Sequence, residues 1–376
     1  MPKFFRVTSH LQSLKGLILT VAPGQALKNM VQKWKTTMPN VQLVINSKHL
    51  PSVDRSWLTQ QTITQVDFDP LSSDELLEHF NKSGGYPIIG TRLNIPFKEP
   101  LLKALASKDH AHPLKIIGQA GSAISHIDLL AAEKYNIKVI CTPGANAKAV
   151  AEYVVAQIFN LTRSLDTFHR HSQQGTWFKY SLPPQSEIHE KTLGLIGYGY
   201  IGKELGKKAQ DLGMEVMIFT RTTPDCSDLG RIKVVENLET LLKQADIISI
   251  HAPLTPATKG LIGAREIGLM KEGSYLINTA RGGIVDEAAV AEELRKPNSR
   301  LAGAAFDVFA IEGEKFTSPL IGTKAILTPH IAGTTTLALS CAATQMVENI
   351  HAELSRSKTV DDSDTPEPST TLTSRL

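Results

Sequence analysis

Residues 191–223, KTLGLIGYGYIGKELGKKAQDLGMEVMIFTRTT, decide the fold. The apolar run 193–196 is short enough for a strand. It ends in GYGYIG, a G-x-G-x-x-G placed where a strand must turn into a helix. Gly197 permits the turn, Gly199 lets a pyrophosphate approach the backbone because no Cβ intervenes, and Gly202 lets the helix pack close to the strand. Ile201, Leu205, Ala209 and Leu212 then fall on one helical face, Gly213 stops the helix, and 216–219 supplies a second strand. A chain with 26 glycines can produce this spacing by chance, so the strand, turn, helix and strand around it carry the reading. The unit expected is βαβ, with a dinucleotide on the helix N-terminus. Free N–H groups point out there, and the macrodipole favours an anion by about 0.3–1 kcal/mol.

The residues after the second strand bear on which dinucleotide is bound. A site for NAD places a carboxylate about 20 residues beyond the glycines, where it accepts hydrogen bonds from the ribose 2′-OH and repels a 2′-phosphate. Thr220 stands at that position here, followed by Arg221, Thr222 and Thr223. Arg221 can pair bidentately with a phosphate, and the hydroxyls add donors without negative charge. The expected cofactor is NADP, with NAD possible if Asp225 reaches back to the ribose.

The 376 residues, 41% of them hydrophobic, suffice for roughly two domains with a cleft between them. A formal charge of +3, from 40 basic and 37 acidic residues, contains no dense Lys/Arg run to track phosphates, so nucleic acid is not an expected partner. Cys141, Cys226 and Cys341 are far apart, with no C-x-x-C and no histidine cluster at metal spacing. They read as reduced thiols in a protein without a metal. The run 17–22 is too short for a signal sequence and no run has the length of a membrane span, so a soluble, cytoplasmic protein with no membrane partner is expected.

Short apolar strands alternate with helical stretches from the start. Strands are expected at 17–21, 41–45, 63–68, 86–89, 114–117 and 138–140, with a helix at 25–37 and another opened by Ser72 or Ser73 as N-cap. Two polar loops, GTRLN around Arg92 and GQAGS at 118–122, follow strands, where open α/β sheets bind ligands. The second reads either as a carboxylate-binding turn or as a plain turn into a helix holding Ile127 and Leu130. TPGAN, 142–146, precedes a single long amphipathic helix at 147–174 that connects two domains. Beyond the βαβ unit, strands at 246–250, 274–278, 301–306 and 325–327 and helices at 237–244 and 286–295 complete a doubly wound domain. A last helix at 337–354 returns to the first domain, and the polar end of the chain reads as disordered. The expectation is an α/β protein with two Rossmann-like domains. The flavodoxin-like substrate domain covers 1–146 and 331–355, the dinucleotide-binding domain 147–330, and the disordered tail 356–376.

Three strand-end loops of the second domain each deliver one polar group to a common crevice: Arg281, Glu312 and His330. Hydride delivery to a carbonyl carbon leaves an alkoxide, which needs a proton donor working near neutral pH, and a histidine supplies one. A carboxylate bonded to that imidazole favours its charged form, and an arginine fork can hold a 2-oxo-acid carboxylate or carbonyl oxygen. The surrounding motifs TLGLIGYGYIG, HAPLTPATKGLI, INTARGGIVDEAAV, LAGAAFDVFAIE and LTPHIAGTTT, in this order over roughly residues 85–355, resemble the D-isomer-specific 2-hydroxyacid dehydrogenases. The resemblance implies reduction of a small 2-oxo acid to a D-2-hydroxy acid, with Arg281 binding substrate, Glu312 as partner acid and His330 as acid/base. It implies Ala120, Gly121, Ser122 and Arg92 around the substrate carboxylate. For the cofactor it implies Gly197, Gly199, Tyr200, Ile201, Gly202, Thr220, Arg221, Ala252, Pro253, Thr258, Thr279, Ala280 and Asp307, the last meeting the nicotinamide carboxamide. A homodimer built on the connecting helix is also implied.

Gln119, Ala123, Ser125 and His126 stand where the family often has Arg, Gly, Asp and Asn, so carboxylate binding with altered specificity is expected. Glu312 argues against formate oxidation, for which a glutamine would stand there. The alternative reading is a dehydrogenase-like nucleotide-sensing scaffold or corepressor without significant turnover.

Overall fold

Runs such as IIGT, IIGQ and IISI are buried along their whole length, as strands covered by helices on both faces must be. The computed structural model describes residues 43–45, 72–92, 95–180, 185–221 and 230–361, and in them every named strand lies in one of two parallel sheets. In the first sheet β1 (Leu43–Ile45), β2 (Ile88–Thr91), β3 (Ile116–Gln119) and β4 (Lys138–Cys141) stand in sequence order. The strands expected at 17–21 and 63–68 and the helix at 25–37 lie outside the described residues. Helix α1 (Ser73–Lys82) starts from Ser72, whose hydroxyl accepts from the Glu75 amide while the Glu75 carboxylate accepts from the Ser72 amide. Its Leu76 and Phe80 pack with Leu101, Leu102 and Leu105 of α2 (Glu99–Leu105). Ile127 precedes α3 (Leu129–Lys134), which Asp128 caps, and Leu130 is exposed, so the expected helix holding both is shorter and begins later.

The second sheet contains β5 (Thr192–Ile196), β6 (Glu215–Phe219), β7 (Lys233–Val234), β8 (Ile247–Ile250), β9 (Ser274–Asn278), β10 (Leu301–Phe306) and β11 (Ile326–Leu327). Their order, β11-β10-β9-β8-β5-β6-β7, reverses direction at β5, and ligands of doubly wound sheets bind outside the strand ends at that point. Helices α6 (Tyr200–Asp211), α7 (Leu238–Gln244), α8 (Ala264–Leu269) and α9 (Glu287–Arg295) connect these strands. A Cβ on Gly194 of β5 would come within 2.6 Å of Leu241 and 2.8 Å of Ala245, so a glycine there lets α7 lie close on the sheet.

Two expectations need correction. The single helix at 147–174 is two, α4 (Ala147–Arg163) and α5 (Leu165–Gln173), broken where Ser164 takes φ 49°. The apolar spacing continues across the break through Leu161, Leu165 and Phe168, which is why the sequence did not show it. The last helix, α10 (Thr336–Asp361), continues past 355 into six residues expected to begin a disordered tail, and 362–376 lie outside the described residues. Near β3 and β4 it packs on the first sheet. A Cβ on Gly118 would meet Ile350 Cδ1 at 2.6 Å, and Asn349 Nδ2 donates to the Cys141 carbonyl at 3.1 Å.

Candidate active site

The glycine turn is built to receive an anion. Gly197 has φ 98°, a conformation open to glycine at little cost, and its missing Cβ keeps it off the peptide joining His251 to Ala252, 2.8 Å away. Gly199 is the N-cap of α6 with no side-chain hydrogen bond, and a Cβ there would meet nothing within 4 Å, so the first amides of the helix face open space. A Cβ on Gly202 would strike the Gly197 carbonyl oxygen at 2.6 Å, so the glycine lets α6 lie close against the end of β5, while a Cβ on Gly206 would meet Ile232 at 3.0 Å. Tyr200 is exposed, with its ring against Gly144 of the TPGAN loop, and Ile201 is partly buried behind it. Thr220 and Arg221 follow β6 directly, Arg221 exposed, whereas Thr222, Thr223 and Asp225 lie outside the described residues.

Ala252 and Pro253 lie beside the turn, but Thr258 is turned inward. Its hydroxyl donates to the Pro253 carbonyl at 2.6 Å and accepts from the Thr255 amide at 2.8 Å, so it folds this loop rather than facing a ligand. Thr279, after β9, has a buried hydroxyl without a hydrogen-bond partner among the described residues, as does Nδ1 of His251. Open amides at α6 and unpartnered buried polar atoms at the ends of β8 and β9 fit a dinucleotide laid across the switch point.

The acid/base pair is assembled. His330 Nδ1 and Glu312 Oε2 are 2.8 Å apart, and Glu312 Oε1 accepts from the Phe309 amide at 3.0 Å. Burial works to raise the Glu312 carboxyl. The His330 hydrogen bond, the Phe309 amide and the charges of His330 and Arg281 outweigh it and hold the carboxyl below its ordinary value. Arg281 is therefore near enough to act on Glu312 by its charge, while its Nη1 donates to the Ala280 carbonyl at 2.6 Å. With Nδ1 committed to the carboxylate, Nε2 is the ring nitrogen left for a substrate.

His330 itself has φ 56°, a left-handed conformation that costs a non-glycine residue roughly 1–2 kcal/mol. What holds it is Asp307. Both carboxylate oxygens of this buried residue are engaged by the His330 segment: Oδ1 accepts from the Thr328 hydroxyl at 2.6 Å and the Ile331 amide at 2.9 Å, Oδ2 from the Ala332 amide at 2.8 Å. Thr328 gives its single proton to Asp307, so Tyr153 of α4 donates to Thr328, at 2.5 Å. Holding the His330 segment is thus a task of Asp307 beyond the carboxamide contact that the resemblance implies. The sequence alone could not show it, because the Asp307 partners are backbone amides 24 and 25 residues away.

On the first sheet, the residues implied for the substrate carboxylate follow β3. The amides of Ala120 and Gly121 already donate to the Thr91 and Gln119 carbonyls at 2.8 and 2.9 Å. Ser122 is the one of the three whose amide has no backbone bond among the described residues. Arg92 follows β2, partly buried, and burial pushes its guanidinium below its ordinary value with no carboxylate paired to it among the described residues. Gln119 Oε1 is buried without a donor.

Comparison with known proteins bears on this geometry. The model of the D-isomer specific 2-hydroxyacid dehydrogenase NAD-binding domain matches residues 155–332. Over 266 residues the chain is 36% identical to the glycerate dehydrogenase of Methylorubrum extorquens, covering 69% of this chain and 80% of that one. This chain belongs to the D-isomer-specific 2-hydroxyacid dehydrogenase family. It is an oxidoreductase that moves a hydride between a nicotinamide dinucleotide and a 2-oxo or 2-hydroxy acid. The D-3-phosphoglycerate dehydrogenase of Escherichia coli is 38% identical over 252 residues, 66% of this chain and 59% of that longer protein. Among solved structures, the TT0316 protein of Thermus thermophilus superposes with a TM-score of 0.70 at 29% identity, covering 84% of this chain and 97% of that one. No described helix of the dehydrogenase is long and apolar enough to cross a membrane, and the described residues contain no group of three or more metal-ligating side chains.

Proposed function

We propose that the chain is an NADPH-dependent reductase of a small 2-oxo acid bearing an oxygen substituent at C3, with His330, Glu312 and Arg281 as its reacting and binding groups. The observation that carries the chemistry is the 2.8 Å contact between His330 and Glu312, two strand-end residues 18 apart in sequence. When bound, the reduced nicotinamide supplies the hydride. Arg281 holds the carboxylate and carbonyl oxygen of the acid, which polarises C2. Nε2 of His330 gives its proton to the oxygen as negative charge grows there, and Glu312 stabilises the imidazolium before transfer and fixes the ring plane. Ser122, with its free amide, receives the carboxylate from the other side. Arg92, partly buried after β2 with no carboxylate paired to it among the described residues, is the group assigned to a polar C3 substituent. The glycerate and phosphoglycerate relatives, both named for C3-oxygenated acids, support that substrate class.

The NADP preference rests on Thr220 and the exposed Arg221 at the end of β6, where a ribose-binding acid would stand in an NAD enzyme. Values of kcat/KM for NADPH and NADH across a panel of 2-oxo acids test both parts. NADPH should be preferred, and Arg221→Ala should remove most of the preference. Equal use of both cofactors by the wild type would refute the assignment. Replacement of His330 by Ala should lower kcat by about 10²–10⁴-fold with cofactor binding intact.

We also propose that residues 1–146 with 331–355 form one lobe and 147–330 the other, and that the enzyme is a homodimer through α4, α5 and the segment after them. Trp177 and Tyr180 are 86% and 84% exposed, and Leu165 is half exposed on α5, an apolar surface suited to a second copy. Light scattering at micromolar concentration should give a dimer, and Trp177→Ser should weaken it.

A further inference from the structure

Glu287 is the first residue of α9, in the motif GGIVDEAAV, where an acid ordinarily faces solvent and complements the helix dipole. Here it is 8% exposed and turned away from its helix. Asp286 performs the capping, its Oδ1 accepting from the Ala288 and Ala289 amides at 3.0 and 3.1 Å. The Glu287 carboxylate reaches a different segment. Oε1 accepts from the Ala310 amide at 2.7 Å and Oε2 from the Ser318 hydroxyl at 2.5 Å. These two donors stand at either end of the loop that carries Glu312.

The same loop is gripped from the Arg281 side. A Cβ on Gly282 would lie 1.9 Å from the Phe309 carbonyl oxygen and 2.5 Å from the Ala310 nitrogen, so the two loops touch backbone to backbone. Within the loop, the Phe309 amide holds Glu312 Oε1, and the Phe309 and Phe316 rings stack edge to face with centroids 4.8 Å apart. Peptides 309 and 310 thus connect three carboxylate-bearing side chains: Asp307 two residues before, Glu312 through the Phe309 amide, and Glu287 through the Ala310 amide. We propose that Glu287 is a positioning residue of the reaction, its buried carboxylate clamping both ends of the 310–318 loop so that Glu312 stays in register with His330 and Arg281. It touches neither substrate nor cofactor in this role. The proposal rests on the reading of His330 and Glu312 as the acid/base pair.

A group held through another acts on catalysis through geometry. Displacement of about 1 Å far from the chemistry can cost about a hundredfold in rate. Loss of the clamp lets Glu312 drift from Nδ1, so the imidazole is held less firmly in the plane that proton transfer needs, and kcat falls while cofactor binding does not.

The test is steady-state reduction of a 2-oxo acid substrate by the enzyme, with cofactor Kd measured by fluorescence, for four variants. Glu287→Ala should lower kcat about tenfold to a hundredfold and leave cofactor Kd within about twofold. Glu287→Gln keeps an acceptor for Ala310 and lets the Ser318 hydroxyl reverse its bond, so it should recover most of the rate. Ser318→Ala removes one anchor and should lower kcat to a smaller degree, which keeps the proposal open to refutation if Glu287→Ala does not fold. His330→Ala is the control for the underlying reading. If it is inactive while folded Glu287→Ala, or Ser318→Ala in its place, retains wild-type kcat, Glu287 has no positioning role. If His330→Ala turns over normally, the reading of the pair fails first.

Discussion

His251 follows β8 with its Nδ1 buried though the residue keeps some exposure, and burial lowers its pKa from 6.5 to about 3. Its Nε2 lies 2.9 Å from the Ser249 hydroxyl, and Nδ1 has no partner among the described residues. The sign of the effect on stability follows from these two values. Below pH 6.5 the unfolded chain takes up a proton that the folded chain refuses until about pH 3, so stability falls as pH falls through that window. The slope approaches about 1.4 kcal/mol per pH unit for one proton. Urea unfolding of the wild type and of His251→Asn between pH 7.5 and 4 checks this. The stability difference should be flat above about 6.5 and move in favour of the variant below it, and a difference constant throughout would refute the assignment. Glu312 adds a loss at lower pH in both proteins, because its carboxyl is held low in the folded state and its stabilisation disappears as it protonates. His251 was legible in the sequence only as part of HAPLTP. Nothing in the spacing of a loop tells whether its histidine faces solvent or the interior.

At the scale of elements, the strand-end loops behave as one assembly because backbone meets backbone at Gly282. A methyl group at 282 would overlap the Phe309 carbonyl, which belongs to the main chain and cannot rotate aside as a side-chain tip could. Gly282→Ala should therefore cost about 1–3 kcal/mol in stability and push the Arg281 loop from the Glu312 loop. Thermal unfolding and kcat measured together would show both effects. Normal kcat with normal melting would mean that the two loops can separate freely. The strands that present these loops were readable, since 274–278 and 301–306 were expected with the bounds observed in β9 and β10. Short apolar runs closed by polar residues leave little choice of boundary. Glu287 was not readable as a clamp, because a glutamate after an aspartate at a helix start has a sufficient local explanation. The break at Ser164 escaped for a related reason: residues four apart keep their spacing whether or not one of them adopts a left-handed turn. Sequence periodicity reports what one element does with its own neighbours, whereas Asp307, Glu287 and Gly282 act on chain that is 21 to 31 residues distant.

For the whole molecule, the two chain crossings between the sheets run side by side. The segment 142–146 leads from β4 into α4, and 331–335 leads from the second sheet into α10. A Cβ on Gly333 would come within 2.3 Å of Asn146 Nδ2, so the Asn146 side chain of one crossing packs directly on the Gly333 backbone of the other. Beside them the Tyr200 ring, on the first turn of α6, rests on Gly144, which has φ 82°. In the proposed two-lobe arrangement, a contact between the glycine turn and the connection to the other sheet gives a route by which an anion on the α6 amides would bias the angle between the lobes. The radius of gyration from X-ray scattering should therefore fall when NADP and a non-reducible 2-oxo acid analogue are both present, and fall less with either alone. In Gly144→Ala the added Cβ would lie 2.7 Å from the Tyr200 ring in a backbone conformation that strains any side chain. That variant should compact less, with KM for the 2-oxo acid raised more than kcat is lowered, because substrate binding draws on closure and proton transfer takes place after it. An unchanged radius in the wild type with both ligands bound would show that the lobes do not move. Compaction in the variant equal to that of the wild type would show that Tyr200 and Gly144 are not the contact through which closure is sensed.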